Sequence, residues 1–457
     1  MEINTDKWVK WALVLGLVAI GGCVKTPPRA EEMLEAAVPQ EWSTASGAGA
    51  VPQAWVASFG DARLSLLVDE ALEGNFQLQE GVARLDQAVA LARIAGADRL
   101  PSVSLGGNAS RSDNNLLKDP SNSFSVTASL GWELDLWGRV RAQSKAGSAD
   151  AAAALSDFAA LRLSLAAKVA QAWFAAVTAH KQEALAQETL ASFEANLTTV
   201  DERFRRGLSP ALDLRLTRAN VATARSTYNL QKRLADSAVR QLEVLLGRYP
   251  SGSLEVQGDL PSLNAPVPAG IPSDLLSRRP DLLSAYQRVV AADFRLRESK
   301  VSLLPRISLT ARYGSASDEL ENLLKDSFDI WSLVGNITAP IFQGGRLRAG
   351  VDLSQARLAG AVASYQGVAL NAFREVESAL VDESLLREQL AAVRMAAEES
   401  IGAQELAEER YERGLVDIIT VLESQRRAFN ARSTLLTVQN QLLQNRVTFY
   451  LSLGGGI

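Results

Sequence analysis

Cysteine and histidine each occur once in 457 residues, and methionine three times. One thiol closes no internal disulfide. One Cys and one His fall short of the four ligands a structural zinc site takes, and of the two histidines an HExxH protease helix requires. An excess of positive charge is also missing: 47 Lys and Arg stand against 52 Asp and Glu, for a net charge of −5, where a nucleic-acid binder shows a basic stripe. Neither a Gly-rich phosphate loop ending in Gly-Lys nor a Gly-x-Ser-x-Gly elbow occurs. The expectation is therefore a chain with no catalytic residues, no metal site, no resident cofactor and no nucleic-acid partner. Disorder is excluded by 47% hydrophobic and 22% charged residues.

The apolar run Trp11–Gly22 is too short to span a bilayer, which takes about 20 residues, but has the length of a signal-peptide core after Lys7 and Lys10. The lone thiol, Cys23, follows Ile20-Gly21-Gly22. This resembles the bacterial lipobox, although Glu2 and Asp6 dilute the positive charge before the run. A buried apolar stretch with an incidental cysteine is the competing reading. On the lipobox reading residues 1–22 are a signal peptide, and Cys23 carries a diacylglycerol and an N-acyl chain. Each buried CH₂ then contributes about 0.8 kcal/mol to anchoring. Residues 23–60, with Pro, Gly, Ser and Ala, read as an acylated tether.

The chain repeats itself. A shift of 207 residues lays Arg203–Leu208 over Arg410–Leu415, Ala224–Thr227 over Ala431–Thr434, Leu246-Gly247 over Leu453-Gly454 and Gly138-Arg139 over Gly345-Arg346. A shift of 204 lays Leu100-Pro101 over Leu304-Pro305. Repeats at 61–247 and 279–457 follow, joined by a Pro-, Gly- and Ser-rich segment at 248–278. Each repeat begins with a helical stretch, about 61–98 and 280–303. Alternating runs come next: Val103, Leu105 and Ala109; Phe124 to Leu136 in steps of two; Ile307, Leu309 and Ala311; and Trp331, Leu333, Ile337, Ala339 and Ile341. Polar loops with Asn114, Asn115 and Asp119, and with Asp318, Glu319 and Asn322, separate them. Alternation over about ten residues suits a strand facing lipid on one side and a lumen on the other, or a half-buried soluble hairpin. Four strands cannot close a barrel, and a bare edge cannot sit in lipid. A membrane reading therefore requires strands pooled between chains.

Proline is missing between Pro120 and Pro210 and after Pro340. Residues 140–206 and 346–413 read as uninterrupted helices of about 100 Å each, with shorter return helices at 211–247 and 417–452. Leu190, Phe193, Leu197, Val200 and Phe204 are spaced 3, 4, 3, 4, a coiled-coil seam. The expected arrangement is a long helix beside two shorter ones stacked end to end. An ordinary long coiled coil without a pore is the competing reading.

Trp55, Phe59, Asp61, Leu64, Ala71-Leu72 and Asn75; Trp132–Arg139; Arg278–Leu282 followed by Leu304-Pro305; and the end Leu453–Gly456 together resemble TolC-type outer-membrane factors, in the lipoprotein branch that serves resistance–nodulation–division pumps. The resemblance implies a homotrimer with a 12-stranded β-barrel, four strands per chain, continued by a long α-helical coiled-coil barrel. It implies a passive exit duct through the outer membrane, docked on a periplasmic adaptor protein and an inner-membrane pump. A type I secretion outlet for polypeptides uses a similar trimer and is the alternative. The resemblance also implies roles for particular residues. The helix-to-helix turns Arg206-Gly207-Leu208 and Arg413-Gly414-Leu415 face the adaptor. Ile419, Thr420 and Glu423 fall where the periplasmic end narrows, and Arg426 would pair with a neighbour to hold a closed state. Three copies of Ile419 and Glu423 would make an apolar and an acidic ring, a gate that favours cations.

Overall fold

The computed structural model describes residues 33–34, 38–43, 54–113, 120–263, 270, 272–323 and 325–455. Cys23, the signal-peptide run and the loop residues Asn114, Asn115 and Asp119 lie outside these. Helices α1 (Ala62–Gly74) and α2 (Phe76–Ala97) lead into strands β1 (Ser102–Ser112) and β2 (Ser121–Glu133), and helices α3 (Arg139–Arg205) and α4 (Ala211–Leu245) complete the first repeat. The second repeats the plan with a short α5 (Leu275–Arg278), α6 (Pro280–Val301), β3 (Arg306–Ser317), β4 (Asp329–Thr338), α7 (Arg346–Glu412) and α8 (Ile418–Ser452).

The four strands form one antiparallel sheet in the order β1-β2-β3-β4, with Phe124 opposite Ser317 where the two repeats join. The outer strands β1 and β4 are exposed along their whole length. Two expectations need correction here. Alternation suggests strands running to Leu136 and Ile341, yet the paired strands end at Glu133 and Thr338, with one further bond from the Leu134 amide to the Ile307 carbonyl at 2.8 Å. Beyond Glu133 the chain turns at once into α3. Gly138 takes φ +83°, a conformation open to glycine without strain. The Asp135 carboxylate accepts from the Val140 and Arg141 amides at 3.1 and 2.9 Å and so caps the helix from outside it. Burial opposes its ionisation, but these amides and the Arg141 guanidinium outweigh that and hold its pKa below the usual carboxylate range. Arg139 grips Glu133 through two 2.8 Å bonds, and the Trp137 indole donates to the Pro305 carbonyl at 2.7 Å. The strand-to-helix junction is thus fixed on both sides.

The helical stretch 61–98 is two helices, broken at Asn75. Its side chain accepts from the Gln77 and Leu78 amides, capping α2, and its Nδ2 donates to the Leu245 carbonyl at the end of α4 (2.8 Å). In the second repeat Arg279, 204 residues later, donates to the Ser452 carbonyl at 3.0 Å. Ser452 is the 207-residue equivalent of Leu245. Both return helices therefore end against the start of a membrane-directed helix: α4 against α2, α8 against α6. This is the expected stack of two short helices beside one long one. Side by side, the elements run α2/α4, then α3, then α6/α8, then α7, the same order as the strands.

The main core lies at mid-length, around Trp173, Phe174, Tyr365, Leu282, Leu443 and Phe449. Residues expected in a loose tether belong to it: Met33, Trp42, Trp55, Val56 and Phe59 are buried there. Trp55 stacks on Tyr450 at 5.6 Å, and the Trp173 indole donates to Asp61 at 2.7 Å. Aromatic side chains repay burial more than the Pro and Ser around them suggest.

Candidate functional site at the helical tips

A second apolar cluster holds the far end of the molecule together. Phe193, Val200, Leu214 and Val221 of the first repeat meet Ala407, Tyr411, Ile418, Val421 and Leu422 of the second. The spacing-derived seam is present in Phe193 and Val200, with Leu190 and Leu197 packed against them, but Phe204 is 39% exposed. The Arg203 guanidinium lies 4.7 Å from the centre of the Tyr411 ring, tying one tip to the other. The single histidine, His180, is half-buried on α3 with Nδ1 3.2 Å from the Ala176 carbonyl.

Both tips have one geometry. After α3, Gly207 takes φ +74° and the Leu208 amide donates to the Arg203 carbonyl at 2.8 Å, with the Gly207 amide on Phe204 at 2.9 Å. After α7, Gly414 takes φ +71°, and Leu415 and Gly414 donate to Arg410 and Tyr411 at 2.8 and 2.9 Å. These bonds satisfy the last carbonyls of each long helix by the glycine-ended C-cap. Leu208 and Leu415 project into solvent at 72% and 68% exposure. Arg206 and Arg413 lean back on Glu202 and Glu409 of their own helices.

The return helices differ. Pro210 begins α4 without a side-chain cap, whereas Asp417 caps α8 by accepting from the Thr420 amide (2.9 Å) and hydroxyl (2.7 Å). Sequence reasoning placed Thr420 in the constriction and missed Asp417, although an Asp three residues before a Thr at a helix start is a capping signal. Ile419 is 47% exposed and lies one turn before Glu423. Glu423 is gripped by two arginines of its own helix, Arg426 at 2.8 Å and Arg427 at 2.9 Å. Hydrogen bonds from Arg426 first and Arg427 second hold its carboxyl below the usual carboxylate range. Within the chain Arg426 rests on Glu423 one turn before it, on an exposed helix face.

Beneath these residues sits a polar knot that the sequence reading did not single out. Gln425, 3% exposed, donates to Ser192 (2.9 Å) and Glu408 (2.8 Å) and accepts from Asn196 (2.9 Å). The equivalent first-repeat pair, 207 residues earlier, is Arg218 on Asp201 at 3.2 Å at the surface.

Comparison with known proteins fits this architecture. The family model described as outer membrane efflux protein matches residues 67–248 and 271–455. Outer membrane protein OprJ of Pseudomonas aeruginosa is 33% identical over 97% of this chain and 95% of its own length. The toluene efflux pump outer membrane protein TtgI of Pseudomonas putida is 32% identical over 97% of each chain. The structure of the Campylobacter jejuni outer membrane channel CmeC superposes with a TM-score of 0.86 at 26% identity, over 90% of this chain and 89% of that one.

Proposed function

The chain belongs to the outer membrane efflux protein family, and on that premise we propose that it is the passive exit duct of a tripartite pump, joined through a periplasmic adaptor to an inner-membrane pump. The protein is an outer-membrane efflux channel: a trimer whose 12-stranded β-barrel, four strands per chain, continues into an α-helical barrel. The observation that carries the reading is the sheet with both edges unpaired among the described residues, joined directly to two hairpins about 100 Å long. Only closure with neighbouring copies satisfies those edges in lipid. The resulting tube reaches well beyond a hydrocarbon layer about 30 Å thick.

The finer assignments are part of the proposal. Arg206-Gly207-Leu208 and Arg413-Gly414-Leu415 form the adaptor contact, because an exposed Leu on a rigid glycine-ended turn offers a preorganised apolar knob. Ile419, Thr420, Glu423 and Arg426 form the periplasmic constriction. A diacylglycerol and an N-acyl chain on Cys23 add a lipid anchor to a protein the barrel already holds. The cargo is a small molecule handed over by the pump, and the duct transforms nothing. The test is reconstitution. Purified trimer should give stable single-channel currents in planar bilayers. In a host lacking its own outlet, the chain supplied with its adaptor and pump should restore tolerance to pumped compounds. A trimer that inserts yet passes no current would sink the duct.

A further inference from the structure

The trimer must be sealed along its helical part as well as its barrel, and the side-by-side order α2/α4, α3, α6/α8, α7 says where. Because β4 of one chain pairs with β1 of the next, α7 must face the neighbour's α4 near the tips and its α2 nearer the membrane. We propose that this intersubunit seam is a ladder in a defined register, with apolar side chains of α7 set level with those of a second copy's α4, and an acidic helix laid against a basic one. The inference rests on the trimeric reading and adds the contacting residues.

The apolar residues exposed on the two helices are regularly placed. On α4, Leu216, Leu230 and Val244 are exposed and lie fourteen residues apart, so they share one stripe at a 3.5-residue period. On α7, Leu353, Val381 and Met395 are exposed and separated by multiples of seven, with Leu406 alongside. Three glycines continue the α7 stripe at the same interval: Gly360, Gly367 and Gly402. A Cβ added to any of them meets nothing within 4 Å among the described residues. Gly inside a helix costs roughly 0.5–1 kcal/mol relative to Ala, and the described residues of their own chain give no packing reason for it.

The heights agree. Leu216 sits about 8 Å from the start of α4 and Leu406 about 9 Å from the end of α7 at 1.5 Å per residue. Leu230 and Met395 fall at about 28 and 26 Å, Val244 and Val381 at about 50 and 46 Å, on the same rise. Charge agrees as well. Helix α4 carries six Lys and Arg against three Asp and Glu, while residues 379–412 of α7 carry nine Asp and Glu against three Arg. Arg233 lies beside the α4 stripe, one turn from Leu230 and in line with the exposed Leu212, and Glu388 lies on the α7 stripe, thirty-five residues from Leu353. Their heights are about 33 and 36 Å. Both are exposed, and neither has an ion-pair partner among the described residues.

Paired cysteines test the register. Leu230→Cys with Met395→Cys, and Val244→Cys with Val381→Cys, oxidised in intact outer membranes, should give reductant-sensitive linked dimers and trimers above the background of the parent chain. Leu230→Cys with Leu353→Cys should give none, since a disulfide needs Cα atoms within about 7 Å. Matched pairs that fail to link, in variants that still migrate as heat-modifiable trimers, overturn the seam. A parent chain with no trimer overturns the premise instead. A second measurement avoids cysteines. Arg233→Glu should lower the temperature at which the trimer dissociates, and adding Glu388→Arg should restore it; absence of rescue counts against the register.

Discussion

The two repeats are one backbone with two sets of side chains, and their differences locate what each tip does. Both long helices end on a glycine at positive φ, both expose a leucine, and both return helices abut the start of a membrane-directed helix. At the positions that follow, the first tip has Leu212, Asp213, Leu216 and Ala219, and the second has Ile419, Thr420, Glu423 and Arg426. A shared backbone with an apolar stripe on one hairpin and a charged cluster on the other means that structure is carried by the repeat and function by departures from it. In the proposed reading the apolar stripe belongs to a seam with a neighbouring copy, and Glu423 and Arg426 to the constriction.

The largest expected effect breaks the comparison at mid-length. Asn75 and Arg279 do the same carbonyl-capping work, but Arg279, 8% exposed, also holds Asp281 (2.7 Å) and Glu375 (2.9 Å). Arg279→Ala should cost about 3 kcal/mol, because it strips a partly buried ionic cluster of the cation that Asp281 and Glu375 share. Asn75→Ala should cost about 1–2 kcal/mol for a lost cap. Thermal melting of the detergent-solubilised trimer measures both, and equal losses would remove the asymmetry.

A smaller difference is expected lower down, at the equivalent pairs Gln425–Glu408 and Arg218–Asp201. Gln425→Ala leaves buried hydrogen-bonding groups unsatisfied and should cost about 1–3 kcal/mol. Arg218→Ala removes a surface ion pair and should cost less than about 1 kcal/mol, shrinking further in salt. Melting both variants at low and high ionic strength separates the cases. An Arg218→Ala loss as large as that of Gln425→Ala would mean the first tip is packed more tightly than its exposure indicates.

The repeat offset, the proline-free lengths and the Arg-Gly-Leu turns made the paired hairpins legible in the sequence, because each is a local rule with a local cause. The four strands were legible through alternation, but their ends were not. Leu134, Leu136 and Ile341 continue the pattern in letters while Gly138 and Gly345 turn the backbone into helix. The equivalence of Asn75 and Arg279 was hidden because an amide and a guanidinium share no residue type, only a carbonyl acceptor 170 or more residues away. Gln425 was hidden for the converse reason: a glutamine on a helix reads as solvated until three partners from two other helices surround it. Trp42, Trp55 and Phe59 were read as tether because their burial depends on Tyr450, Phe373 and Phe174, far along the chain.

The smallest effect on stability, and the sharpest on function, is expected at Glu423. Its arginine partners lie on its own exposed helix face, so Glu423→Ala should leave the melting temperature of the trimer unchanged. Conductance should rise or cation preference fall, whereas Leu216→Ala, its first-repeat equivalent, should change neither. Acidification sharpens the same point. The pKa of Glu423 is depressed by hydrogen bonds from Arg426 and Arg427, so its charged, paired form persists down through the ordinary carboxylate range and is lost only as pH falls through the lowered folded value. Cation preference should therefore be constant from neutral pH down to about 5 and decline only below the ordinary glutamate pKa near 4.3. Bilayer reversal potentials across that range check it. A decline already complete at mildly acidic pH would mean that a different carboxylate sets the selectivity, and would move the constriction away from the second tip.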